Sequence, residues 1–415
     1  MKDERMMILT MLEEGKISSD EASKLIEALD DSEFKETISS NIKKSNDEKE
    51  KKLNTKEVST EQKIEEKTEN LGESIENNTN SIADKIVNAV DNFLEKGNFM
   101  NLFGGYETVV ENLEKTLPSD FNKTLEFNGI NGRIILKPWD KNELYVKATS
   151  NIKKNIYDGK SQIYEIIEDD NKIIFKPRYT SGIGIKLEVS IPDNKYQKII
   201  LSTTNGKIDV SDIKSKEILC NTSNASINIS DFYGDNLIAN TKNGKVGLYS
   251  IKSEKIQIRT SNASALLENI VSKDIDSTTK NGKSTLIKVI SNSIVTTTSN
   301  SSINLDNVEA SSIIAKTSNG KVYTYDLKTE NLNHIDLRTS NSSIDLSSKS
   351  FNKPICINAK TSMGRMDINV PKLVYDVNNQ NQLGSKTILA HSIDYTKDNG
   401  IEIILTTSNG SIRIN

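Results

Sequence analysis

Acidic residues such as Asp209, Asp212, Asp306 and Asp345 are the side chains of the repetitive part of this chain that could support acid–base or glycosidase-type chemistry. Such chemistry needs carboxylates clustered in one groove, or a basic Arg/Lys pair beside them. These acids instead fall in scattered columns of the sequence, where solvated strand ends account for them. The only two histidines, His334 and His391, stand alone in sequence and leave little for a zinc site or a His-dependent nucleophile. Cys220 and Cys356 fit no metal or redox spacing and read as small buried hydrophobes. No catalytic residue, metal ligand or cofactor is implied, and a carbohydrate-active enzyme on a β-helix stays only as the alternative reading, because fold analogy alone is weak warrant.

Two residue types do recur with a fixed spacing. Asn205, Asn224, Asn243, Asn262, Asn281, Asn300 and Asn319 are evenly spaced, Asn341 comes next at a slightly longer interval, and Asn409 lies near the end of the chain. Asn followed by Gly, Ala or Ser suits a corner, since it tolerates the left-handed backbone region, and stacked amides can hydrogen-bond along an axis about 4.8 Å per step. A ligand-binding polar stripe is the competing reading of this column, but turn chemistry alone explains it. Lys207, Lys245, Lys283 and Lys321 occupy the position two after every second Asn, and Arg365 extends the series in a Met-Gly-Arg variant. On a rigid rod this is a periodic basic stripe, a candidate contact for anionic envelope lipid or teichoic-type polymer. The same lysines also serve simply to keep a corner soluble and to blunt edge pairing.

The elements that position these residues are set by the same period. Three residues after each Asn come Ile208, Ile227, Val246, Ala265, Ser284, Ile303 and Val322; five after come Val210, Ile229, Leu248, Leu267, Leu286 and Leu305. An offset of two between inward positions is the signature of a strand with one buried face. The unbroken repeat therefore predicts a mainly β protein, a parallel β-solenoid (β-helix-like) of about 19-residue units, with Leu248, Leu267, Leu286 and Leu305 stacked in one inward column. Units alternate between Asn-Gly-Lys and Asn-Ala-Ser or Asn-Ser-Ser. A 19-residue coil would space the lysines about 9.6 Å apart, whereas a 38-residue coil would crowd them at about 4.8 Å. Charge spacing favours 19; the alternation by itself suits 38.

Upstream, residues 1–30 read as a helical hairpin, with Met7, Ile8, Met11 and Leu12 on one face, Gly15 at the break and a capping box from Ser18 to Glu21. It is too small to be stable alone and is expected to dock on its own chain, on a copy of itself or on a protein partner. A purely structural, self-associating repeat protein is accordingly a further alternative. Residues 31–73 mix Lys, Glu, Asn and Ser and read as a charged, flexible or transiently helical linker. Residues 74–104 carry an amphipathic stripe, Ile82, Ile86, Val90, Phe93 and Leu94. Its polar face is not basic, which favours a cap on the solenoid over membrane contact. Residues 105–415 form the solenoid domain.

Bulk composition agrees with a thin, elongated fold. Of 415 residues only 35% are hydrophobic and 5% aromatic, while 27% are charged, and the net charge is −4. Neither nucleic acid nor an anionic membrane is recommended by bulk electrostatics. No secretory leader or apolar span is legible, so the sequence signals by themselves point to the cytoplasm.

At this point the chain resembles a known family. Asn131-Gly132-Arg133-Ile134-Ile135-Leu136-Lys137-Pro138-Trp139, Val189-Ser190-Ile191-Pro192 and the Thr-Ser-Asn-Gly-Lys units are similar to the bacterial putative-adhesin β-strand-repeat family. The start, with Leu12-Glu13-Glu14-Gly15-Lys16-Ile17-Ser18 at its turn, resembles the helical N-terminal module of YvlB- and LiaX-like proteins. The resemblance implies a non-enzymatic binding or scaffold protein linked to cell-envelope stress, membrane- or envelope-associated despite lacking a conventional leader. It supplies no catalytic residues.

Overall fold

The computed structural model describes residues 105–118, 121, 123–379 and 385–415. The hairpin, linker and amphipathic segment expected over residues 1–104 lie outside the described residues.

The repeat folds as a parallel β-solenoid with a 19-residue coil. Each coil carries two strand segments, which from Val246 to Lys316 join through one corner into continuous 14-residue strands. The first set includes Lys195–Ser202, Lys214–Asn221 and Tyr233–Asn240; the second includes Ile208–Ser211 and Ile227–Ser230. Successive coils pair in parallel, in register, one repeat apart: Ile208 lies beside Ile227, Ile227 beside Val246, Val246 beside Ala265 and Ala265 beside Ser284. Each unit therefore stacks on the next rather than on the next but one, which settles the coil at 19 residues. The alternation of Asn-Gly-Lys with Asn-Ser-Ser is an alternation between neighbouring coils.

Alternate residues of each strand point inward and build a single continuous core. Leu248, Leu267, Leu286 and Leu305 stack directly on one another and are all fully buried. Burying each such side chain is worth about 1.5–3 kcal/mol. The core thus grows by one layer per repeat, and no globular centre is needed.

The corner chemistry differs from the sequence expectation. The left-handed backbone falls not on the Asn column but seven residues later, at Asp212, Asp231, Ser250, Asn269, Lys288, Asn307 and Asp326, with φ between 50° and 59°. Among the repeat asparagines expected to need that region, none adopts it; Asn131, in the turn between Thr124–Asn128 and Ile134–Trp139, does, at φ 55°. Asp and Asn are among the residues that tolerate this conformation best. Ser250 and Lys288 are not, and they are held there because Val246–Arg259 and Ser284–Thr297 run through the corner while pairing with coils on both sides.

Both ends of the solenoid are interleaved. After the coil containing His334–Arg338, the next in space is not Ile355–Thr361 but the last in sequence. Ile401–Thr406 inserts between the two, pairing in parallel with each. Ile412–Ile414 does the same between Ile344–Leu346 and Met366–Ile368. At the other end, Thr124–Asn128 and Ile134–Trp139 lie between the coil of residues 195–211 and that of residues 172–192. Antiparallel strands then finish each end: Tyr106–Thr116 on Glu143–Lys153 on Ile183–Pro192 at one, and Lys386–Ser392 between Ile355–Thr361 and Leu373–Asn379 at the other. The solenoid is therefore parallel in its body and antiparallel at its tips.

Candidate functional site

The asparagines form one hydrogen-bonded ladder. Asn243 Nδ2 donates to Asn224 Oδ1 at 2.6 Å, Asn262 to Asn243 at 2.6 Å, Asn281 to Asn262 at 2.7 Å, Asn300 to Asn281 at 2.6 Å and Asn319 to Asn300 at 2.7 Å. Asn224 likewise donates to Asn205, and Asn205 to Asn131 at 2.6 Å. The ladder crosses the interleaved end without a gap, because Asn341 donates to Asn319 at 2.7 Å and Asn409 to Asn341 at 2.8 Å. Every amide points its N–H the same way, so each Asn from Asn205 to Asn341 is both donor and acceptor. Such a chain consumes the amides internally and leaves a polar seam already satisfied.

Beside it runs a buried threonine column that ties each corner to the one before. Thr241 Oγ1 donates to the Ala225 carbonyl at 3.1 Å and Thr260 Oγ1 to that of Gly244 at 3.0 Å. The residue after each Asn must be small because the coils touch here. A Cβ placed on Gly244 would lie 1.7 Å from the Ala225 carbonyl oxygen.

The lysine column faces outward at the start of each second strand, with Ser226, Ser264 and Ser302 on the intervening coils. Its charges are largely answered within the fold. Lys207 Nζ is 3.2 Å from Asp209, Lys321 is 2.8 Å from Asp345, and Lys283 and Lys321 both lie over the Tyr323 ring, at 5.9 and 5.7 Å. Lys245 is half-buried and also engaged.

The acids do not converge. Asp209 is held by Lys207 and by Arg133 Nε at 2.6 Å, while Asp345 pairs with Lys321 far along the solenoid. Asp212 occupies a left-handed corner, and Asp306 faces out beside Tyr325.

Two surface features escaped the sequence reading. The first is an apolar edge. Tyr233, Lys252, Val271 and Ile290 succeed one another in strict register just past the left-handed corner. Tyr233 and Ile290 are 50% exposed and Val271 46%, and the Lys252 ammonium lies over the Tyr233 ring at 5.6 Å. The repeat carried this signal, as four aligned positions one after each buried Phe232, Ile251, Ile270 and Val289. The second is a row of polar groups across the C-terminal tip, where His334, Glu402, Cys356 and His391 occupy matching positions on four adjacent strands. The two histidines, isolated in sequence, stand at the two ends of this row, with Glu402 and Cys356 between them. Cys220 is fully buried, and burial pushes its thiol well up. Cys356 departs from the expectation of a buried hydrophobe: its side chain faces outward, half-exposed, because the inward positions are taken by Ile355 and Ile357.

These features define a β-solenoid repeat protein. Residues 123–286 match the Toastrack DUF4097 family, and residues 3–33 match the SHOCT-like domain of the DUF2089 C-terminal type. Among solved structures, a "putative cell adhesion protein" from Clostridium sporogenes is similar at 13% identity, over 74% of this chain and 99% of that one, with a TM-score of 0.21. No curated protein matches.

Proposed function

We propose that this chain is a non-enzymatic binding and scaffold protein of adhesin-like type, associated with the cell envelope and its stress response. The observation that carries the reading is the exposed edge Tyr233–Lys252–Val271–Ile290, where three large apolar side chains and the stem of a lysine line up on successive coils. Contiguous exposed apolar surface on a folded chain marks an interaction site. Here it is presented on strands whose neighbours are fixed in register on both sides, so binding a protein partner orders little that is not already ordered. The envelope-stress element is supported by module order, a SHOCT-like match preceding a Toastrack match, which is the arrangement that resembles YvlB- and LiaX-like proteins. The SHOCT-like module is read as the docking or self-association unit.

The test replaces Val271 and Ile290 together by Glu and tracks the full chain in fractions of cytosol, membrane and surface, with and without envelope stress. Loss of envelope association in the double variant, with unchanged circular dichroism, supports the reading; unchanged association refutes it. The anionic-polymer reading is tested beside it by replacing Lys207, Lys245, Lys283 and Lys321 with Gln and measuring sedimentation with anionic liposomes and cell-wall polymer. Electrostatic binding of that kind weakens as salt rises.

A further inference from the structure

The exposed edge carries an ordered pattern of charge as well as an apolar middle. Lys214 precedes Tyr233 in the same column and Glu309 follows Ile290, each one coil further on and in register. Two more columns flank this line on the surface. On one side lie the left-handed corner residues Asp231, Ser250, Asn269 and Lys288. On the other lie Asp235, Glu254, Lys273 and Asn292, with Lys273 and Glu254 ion-paired. Along its own line the edge therefore runs from base through apolar to acid, while the corner beside it runs from acid to base.

Such a surface complements itself when reversed. Laid against a second copy running the opposite way, with the two-fold axis between the coils of Lys252 and Val271, each column meets its own counterpart upside down. Tyr233 then faces Ile290 of the other copy and Lys252 faces Val271, so the apolar side chains cover one another. Asp231 faces Lys288, Glu254 faces Lys273 and Lys214 faces Glu309, each pair occurring twice by symmetry. Over these six coils, Lys214 to Glu309, no like charges are opposed in the three columns. Other arrangements do worse. Copies laid parallel put Lys214, Lys252 and Glu309 each opposite itself. A slip of one coil in the antiparallel arrangement sets Lys252 against Lys252 or, in the other direction, Lys214 against Lys328. Like charges directly opposed are destabilising, so the charge pattern selects one register.

We propose that the exposed edge binds a second copy of this chain, antiparallel, in a two-fold dimer centred between Lys252 and Val271. The inference rests on the reading of this edge as an interaction site and names its occupant. Lys252 keeps its ammonium over the Tyr233 ring and offers its apolar stem to Val271 of the other copy. One coil beyond the contact Lys195 faces Lys328, which bounds the interface at both ends. A two-fold contact uses the same patch on both copies, so assembly stops at two instead of growing into a fibre. The contact is three columns wide and, at about 4.8 Å per coil, roughly 24 Å long. That places it with weak, reversible associations, in which register is set by charge and adhesion by the apolar middle.

The full chain is followed by sedimentation velocity across a range of concentrations, and the expected result is a reversible monomer–dimer equilibrium. Asp231→Lys and Lys288→Asp each set like charges face to face twice, and each weakens the dimer by at least about tenfold. An equimolar mixture of the two variants restores association, because every swapped charge then meets its opposite; so does the double swap in one chain. Asp and Lys both already occur in this left-handed column, so the swaps keep the corner, and circular dichroism checks the fold. A chain that stays monomeric at the highest attainable concentration, a dimer indifferent to both swaps, or swaps that fail to recover on mixing overturns the proposal. If in those cases the Val271→Glu, Ile290→Glu double variant still loses envelope association, the edge binds a different protein and only its occupant was misassigned. If that double variant changes nothing, the reading of the edge as an interaction site falls as well.

Discussion

Asn262 sits in the middle of the amide ladder and tests whether that ladder stabilises the solenoid. It donates to Asn243 at 2.6 Å and accepts from Asn281 at 2.7 Å. Replacing it by Ala removes both bonds. Each is worth about 0.5–1.5 kcal/mol net, and solvent reaches this edge to satisfy the orphaned partners. The expected cost of Asn262→Ala is therefore about 1–2 kcal/mol, the same at every pH where the protein folds. Asn262→Asp makes a sharper test because the ladder has a direction. The carboxylate still accepts from Asn281, but it meets the Asn243 amide oxygen as acceptor on acceptor. Protonation restores a donor, so the folded state favours the protonated acid, binds more protons than the unfolded chain, and gains stability as pH falls. Asn262→Asp should lose at least about 1 kcal/mol at neutral pH and recover most of it as pH drops below about 4. Urea midpoints of the three proteins between neutral and acid pH measure this directly. A deficit in Asn262→Asp that stays constant with pH, or no deficit in either variant, would refute the idea that the amides act as a coupled chain.

Three further outcomes are set by the geometry. Leu267→Ala, in the fully buried leucine column, should cost about 2–5 kcal/mol in the denaturation midpoint, since parallel neighbours above and below prevent collapse into the space. Lys288→Asn should raise stability by up to about 1 kcal/mol, because Asn accepts the left-handed backbone that Lys288 is held in; an unchanged or lower unfolding temperature would mean the corner costs nothing. Asp276 is held below the usual carboxylate range chiefly by the Arg259 hydrogen bonds, so its contribution is present above its unfolded pKa and is lost as pH falls through the folded one. Asp276→Asn should accordingly flatten the acid limb of a stability–pH profile, and an unaltered limb would show the pair to be idle.

Much of the body of the solenoid was legible because each coil repeats the physics of the last. The column Ile208, Ile227, Val246 marks the inward face wherever it occurs, and an offset of two residues states that the segment is a strand. The tips were not legible. Periodicity reports the order of units along the chain, not their order in space, and it led naturally from Asn341 to Met363. The structure places Asn409 next on the ladder, and Met363 beyond it, 75% exposed. The left-handed column was hidden for another reason. Its members, Asp212, Asp231, Ser250, Asn269 and Lys288, share a backbone conformation imposed by pairing and not a side-chain type. The polar row at the tip could not be found by spacing at all. Cys356 and His391 become neighbours only once an antiparallel strand folds back, which no motif announces.

The interleaving at both tips bears on how such a chain can change its length over evolution. A duplication or loss of 19 residues within the stretch 214–316 adds or removes one layer, and the flanking layers simply meet a new neighbour in the same register. The same event between residues 339 and 400 would separate Ile401–Thr406 from one of the two strands it joins, and one near residue 150 would do likewise to the first coils. Copy number is thus free to drift in the middle and frozen at the extremities. Related proteins should accordingly differ by whole layers in the interior while their two ends stay constant in length, so that the reach of the rod varies and its terminations do not.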